Sequence, residues 1–316
     1  MPMLGSSTVD VPRLGVGAMT WGDAQGMARY HPAKIAYGGA DSAAEEAKAF
    51  EASLMGHVNL FDTASAYSQG AAEIRLGELA KGRDAIIASK FPMSFGRMRA
   101  EEFPAALEAS LKRLGRTSID LYQHHTPGRT DIDQLMALMA DAVEAGRIRA
   151  VGVSNYSAAQ MRQAHAALAR RGVPLAANQV QYSLLHRRPE VDGVMAACRE
   201  LGVTLIAYSP LAMGMLSGKY SHGEKARGVR RFLPIFNWGG RRKARPVVEL
   251  LRTIGERYGK SPSQVALNWL IANPVVLPIP GAKNGKQAAE NAGALGFSLS
   301  PDEIAEIDRA TLGWKK

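Results

Sequence analysis

The chain has 316 residues, 46% of them hydrophobic and 22% charged, with a formal net charge of +10 and one cysteine. These figures suit a globular protein with a large buried core. They exclude an internal disulfide, no Cys/His cluster suggests a metal site, and no apolar run approaches the roughly 18–20 residues of a membrane helix. The positive charge fits a phosphorylated ligand as well as nucleic acid. No helix-turn-helix, zinc-finger or RNA-binding signature accompanies it, so nucleic acid and membrane are both set aside as partners.

The opening "MPMLGSSTVDVPRLG" lacks the basic-then-apolar order of a signal peptide, which predicts a cytoplasmic protein. Its two short apolar stretches read as a small hairpin. Eight short apolar runs follow: "RLGVGAM" near 13–19, "VNLFDT" near 58–63, "AIIASKF" at 85–91, "IDLYQHH" at 119–125, "RAVGVS" at 149–154, "AANQVQY" at 176–182, "VTLIAYSP" at 203–210 and "VVLPIPG" at 275–281. Near-continuous apolar runs are the pattern of strands covered on both faces.

Between them lie amphipathic helical segments. "SAAEEAKAFEASLMG" has Ser42 as its N-cap and stops at Gly56, and "AEEFPAALEASLKRLG" stops at Gly115 after Lys112 and Arg113. "TDIDQLMALMADAVEAGRIR" and "SAAQMRQAHAALARRG" repeat the design. "KNGKQAAENAGALG" and "SPDEIAEIDRATLG" supply a closing helix and an extra one. Alternating strands and helices imply parallel pairing with right-handed crossovers, and eight units favour a closed (β/α)8 TIM barrel, plugged at its base by the hairpin. No linker divides the chain, so residues 1–316 read as one domain. Two stretches break the rhythm: residues 22–41 after the first strand, and 211 to about 260 after the seventh, within which basic residues are densest from 218 to 245. Both follow strand C-termini, the active-site face of this fold, and read as long loops there. Cys198, in "VMAACRELG", reads as a small core residue.

On that face Asp62, Lys90 and His125 end successive strands, and Tyr67 follows in "FDTASAY". Singly, such residues cap helices, meet solvent or fill cores; four on neighbouring units point to chemistry. A phenol is a weak acid at neutral pH, with a pKa of about 10, and a nearby ammonium favours its phenolate. A buried lysine needs a counter-charge, which Asp62 supplies. His125 can hydrogen-bond the same carbonyl oxygen and orient it. Together they make a positioned proton donor in a polarising cavity. Strand alternation sends His124 to the opposite face.

"FDTASAY", "ASKF", "SIDLYQHHTP", "VGVSNYS", "NQVQYS", "AYSPLAMG" and "PIPGAKNGKQAAEN" together resemble the aldo-keto reductase superfamily, in family order and over roughly residues 14–308. The resemblance implies a barrel that binds NADPH without a Rossmann fingerprint, and this chain has no GxGxxG run. It implies that Asp62, Tyr67, Lys90 and His125 match the catalytic tetrad, with Tyr67 as general acid in carbonyl reduction. It implies that Ser154, Asn155 and Gln179 hold the nicotinamide carboxamide and that Tyr208 stacks on the ring. Ser209, Leu211 and Gly214 match the pyrophosphate segment, which the stretch 219–231 could clasp. Lys283, with Lys286 near it, matches the contact to the ribose 2′-phosphate, and Gln287 and Asn291 match the adenine side. Ser68 stands where the family carries a glycine. Trp21, Tyr30 and Trp238 are aromatic candidates for the substrate pocket. Two other readings remain: a cofactor-sensing subunit like the β-subunits of potassium channels, and a barrel aldolase or isomerase with Lys90 as Schiff-base nucleophile.

Overall fold

The structure is a computed structural model and describes residues 2–22, 42–91, 99–222, 224, 226 and 228–315. Every one of the eight apolar runs carries a strand: Val16–Gly17 (β1), Leu60–Asp62 (β2), Ile86–Phe91 (β3), Ile119–His124 (β4), Ile148–Ser154 (β5), Leu175–Gln181 (β6), Thr204–Tyr208 (β7) and Val276–Pro278 (β8). They pair in parallel in chain order. A parallel bridge between Gly17 and Gly281 joins the last to the first, with the Gly15 and Gly17 amides donating to the Pro278 and Pro280 carbonyls at 3.0 Å. This is the (β/α)8 barrel that the run count predicts.

The helices are Ala43–Met55 (α1), Ala71–Leu79 (α2), Phe103–Leu114 (α3), Ile132–Glu144 (α4), Ala158–Ala169 (α5), Val194–Leu201 (α6), Trp238–Tyr258 (α7), Pro262–Ala272 (α8), Gly285–Ala292 (α9) and Pro301–Thr311 (α10). Their ends follow the local chemistry. Ser42 accepts from the Glu45 amide, and α3 closes on Gly115 at φ 62°. Ser157, Ser261 and Ser300 each build a reciprocal capping box.

The apolar residues form two bodies. The larger lies between strands and helices and includes Phe50, Phe61, Phe91, Phe103 and Tyr122. Cys198 is buried within it as a free thiol. The smaller lies inside the barrel, where Leu60, Leu121, Ala177 and Leu277 of alternate strands meet Leu4, Val9 and Val11. Those three belong to the amino-terminal hairpin, held by the Leu4 amide donating to the Val9 carbonyl at 2.8 Å and by a Met3–Asp10 bridge. The hairpin therefore stoppers the barrel as expected. Arg13 fastens it further by donating to the carbonyls of Ile271, Asn273 and Pro274.

One stretch departs from the sequence reading. The irregular segment after β7 ends near Asn237, because residues 238–258 form the crossover helix α7. Asn237 caps it, and Ala244, Val247, Val248, Leu251 and Ile254 face the core. Arginines and Lys243, and Pro246 inside the helix, mask that stripe in the sequence. The 22–41 insertion lies, apart from Gly22, outside the described residues.

Candidate active site

Strand period two places Asp62, Lys90 and Gln123 at the barrel's upper end, all buried. The Lys90 Nζ donates to Asp62 Oδ1 at 2.5 Å, to the Thr63 carbonyl at 2.8 Å and to the Tyr67 hydroxyl at 3.4 Å. Burial alone would lower the lysine's pKa, but Asp62 and Tyr67 outweigh it and hold the ammonium above the ordinary range. Asp62 Oδ2 takes two further donors, the side-chain amides of Gln179 at 2.9 Å and Gln123 at 3.2 Å.

Tyr67 opens a short 3-10 turn that runs to Gly70 and leads into α2. Three consecutive residues there are left-handed: Ser68 at φ 50°, Gln69 at φ 55° and Gly70 at φ 93°. A residue with a Cβ pays for that conformation, which explains why glycine suits position 68. Among the described residues the Ser68 hydroxyl is moreover buried without a hydrogen-bond partner. The strain sits next to the phenol that the turn presents.

The two adjacent histidines part as alternation requires. His124 is buried in the outer core, stacked on Phe91, with its Nδ1 2.7 Å from the Tyr156 hydroxyl. His125 lies just past β4, edge-on to the Tyr67 ring at 5.8 Å between centroids. Burial, then the Lys90 charge, lowers its pKa to about 3, so the ring is neutral at physiological pH. Its Nδ1 is buried and unpartnered among the described residues.

Beside this group, Ser154 Oγ donates to the Gln179 carbonyl at 2.9 Å. Asn155, at φ 60°, gives its side-chain N–H groups to the His125 carbonyl and to Ser154 Oγ, and accepts from the Tyr208 hydroxyl at 3.2 Å. After β7, Ser209, Ala212, Met213 and Gly214 all have positive φ. Left-handed residues at such density form backbone concavities of the sort that receive anions. Lys219 turns back on the same segment, its Nζ 3.6 Å from where a Gly214 Cβ would stand. After β8, the Lys283 amide donates to Gln287 Oε1 at 3.0 Å, Asn284 caps α9, and Asn291 Nδ2 holds the Gly281 carbonyl at 3.2 Å. The polar side chains around Ser154 and Gln179, the strained turn after β7 and the cationic start of α9 fit a dinucleotide carrying phosphates.

The aromatic candidates divide. Trp21 is fully buried, packed on Phe61, and its indole N–H donates to the Ala282 carbonyl at 2.7 Å. The ring serves the core and offers no face to a substrate. Trp238 is 75% exposed under the Arg242 guanidinium and borders a cavity of about 470 Å³ with Met215, Tyr220 and Arg241. None of the four residues Asp62, Tyr67, Lys90 and His125 lines that cavity. Tyr30 lies outside the described residues. Sequence reasoning missed Gln123; the signal was an amide in "IDLYQHH" in phase with Leu121 and His125 at the two-residue strand period.

The chain matches the Aldo/keto reductase family over residues 13–311. It is 34% identical over 319 residues to the chloroplastic pyridoxal reductase of Arabidopsis thaliana, covering 96% of this chain and 84% of the relative. It is 35% identical to a Schizosaccharomyces pombe aldo-keto reductase designated for NADP(+), covering 87% and 84%. Among solved structures, the glycerol dehydrogenase of Gluconobacter oxydans superposes with a TM-score of 0.81 at 25% identity, covering 96% and 92%. With a family match over nearly its full length and a relative of this identity and coverage, the chain belongs to the aldo-keto reductases, a family of oxidoreductases.

Proposed function

We propose that this protein is a single-domain, NADPH-dependent carbonyl reductase that converts an aldehyde or ketone to its alcohol, with Tyr67 as general acid. The observation that carries the reading is the buried chain of contacts from Asp62 through Lys90 to the Tyr67 hydroxyl, at 2.5 and 3.4 Å. A bound nicotinamide cofactor supplies the hydride. The phenol of Tyr67 gives its proton to the substrate oxygen, and the adjacent ammonium stabilises the phenolate left behind. Asp62 keeps Lys90 charged where burial would neutralise it. Neutral His125 offers a ring N–H to the same oxygen and fixes the carbonyl plane.

Ser154, Asn155, Gln179 and Tyr208 would hold the nicotinamide end, and the turn from Ser209 through Leu211 to Gly214 the pyrophosphate. Lys283 and Lys286 would meet a 2′-phosphate, with Gln287 and Asn291 on the adenine side. The NADP(+) designation of the fission-yeast relative supports this preference. The aldolase reading fits less well, since a Schiff-base nucleophile needs a neutral amine and Lys90 is locked in an ion pair.

The test is NADPH oxidation over aromatic aldehydes, pyridoxal, ketones, quinones and sugar aldehydes, with NADH run alongside. Tyr67→Phe should lower turnover by about 10²- to 10⁴-fold while leaving NADPH binding unchanged. Parent-like turnover by that variant would remove Tyr67 from the chemistry. A parent that binds NADPH but reduces nothing would favour a cofactor-sensing role.

A further inference from the structure

We infer that Gln123, seated by Gly152, is a positioning residue that fixes which way Gln179 faces a bound nicotinamide. The inference rests on the cofactor site proposed above. The inward-facing residues of alternate strands form layers, and the layer above Leu60, Leu121, Ala177 and Leu277 falls two positions further along each strand. There it reads Asp62, Gln123, Gln179 and, beyond β8, Ile279: three polar side chains out of four, all buried.

Their hydrogen bonds admit one orientation of the amides. Asp62 Oδ2 can only accept, so both glutamines must turn their N–H groups toward it. Gln179 Nε2 then spends its second proton on Gln123 Oε1, at 3.2 Å. With both protons committed, Gln179 has only its carbonyl oxygen left for a ligand. A group bound there must donate, which the N–H2 of a nicotinamide carboxamide does and a methyl ketone cannot.

Gln123 needs space to play this part. Gly152 lies opposite it on β5, and a Cβ there would stand 2.8 Å from Gln123 Cγ and 3.0 Å from Leu121 Cδ1. Without Gln123, Gln179 keeps its bond to Asp62 but gains a free N–H. It can then present either a donor or an acceptor.

The experiment is a set of binding titrations of the purified apoprotein with NADPH, its 3-acetylpyridine analogue, and 2′,5′-ADP, which lacks the nicotinamide. Loss of one hydrogen bond is worth about tenfold. The parent should therefore prefer NADPH to the analogue by about that factor, and Gln123→Leu should cut the preference to about threefold or less. Affinity for 2′,5′-ADP should stay the same. Gly152→Ala should move the preference in the same direction, and should add nothing in a Gln123→Ala background, where no γ-carbon remains to be pushed. A parent-like preference in Gln123→Leu, or a loss of 2′,5′-ADP binding equal to the loss of NADPH binding, overturns the inference while leaving the proposed reaction intact. A parent that binds 2′,5′-ADP but not NADPH overturns both.

Discussion

The two ends of the barrel interior use the same strands in opposite ways. At the base, Leu60, Leu121, Ala177 and Leu277 meet the hairpin residues Leu4, Val9 and Val11 in an apolar cluster. One period higher, the same strands carry Asp62, Gln123 and Gln179, all enclosed and all hydrogen-bonded around the Lys90 ammonium. The base gains free energy by removing apolar area from water. The top sacrifices that gain, because each buried polar group must be matched to avoid a penalty. Apolar packing fills the layer below and paired polar groups the layer above, two residues apart on each strand.

Substitutions can separate the two ends. The largest effect is expected from Lys90→Met, which leaves the Asp62 carboxylate buried without its cation. It should cost about 3–5 kcal/mol in denaturant unfolding and abolish carbonyl reduction together. A variant with parental stability would mean that the ion pair does not anchor the upper layer. Leu4→Ala at the base should cost about 2–4 kcal/mol, yet the folded fraction should keep its parental kcat. A fall in kcat at saturating substrate would show that the stopper reaches the site.

The third test uses pH. Burial lowers the His124 pKa to about 4, against about 6.5 in the unfolded chain. Between those values the unfolded state binds the extra proton, so the stabilisation is complete above pH 6.5 and drains away as pH falls. Its contribution is about 1.4 kcal/mol per pH unit. Urea midpoints measured at pH 5, 6 and 7 should decline accordingly, and His124→Asn should flatten the slope by one proton's worth. An unchanged slope would refute the buried neutral ring. The smallest effect is Ser68→Gly, which relieves a left-handed residue and removes a buried hydroxyl that has no partner among the described residues. A gain of about 1 kcal/mol is expected, and a loss would show that the serine is at ease there.

Elements whose burial is uniform were readable from the sequence. Every strand announces itself as an apolar run because both of its faces are covered, and Asp62, Lys90 and His125 stood out because charge or imidazole interrupts such a run. The separation of His124 from His125 needed only the two-residue period. Features that depend on neighbours in space were not readable. The stripe of α7 is diluted by five arginines and a proline. Trp21 carries the same letter whether it lines a pocket or fills a core. Gln123 acquires meaning only beside Asp62, Gln179 and the space at Gly152, which lie on three other strands.

The seam between β1 and β8 sets the order in which the molecule can come into being. Hydrogen bonds from Gly15 and Gly17 reach Pro278 and Pro280, so the cylinder cannot shut until nearly the whole polypeptide has left the ribosome. Asp62, Tyr67, Lys90 and His125 all precede Pro278 by more than 150 residues in the sequence. The closed frame around those four residues is therefore completed late, with the annealing of one short strand.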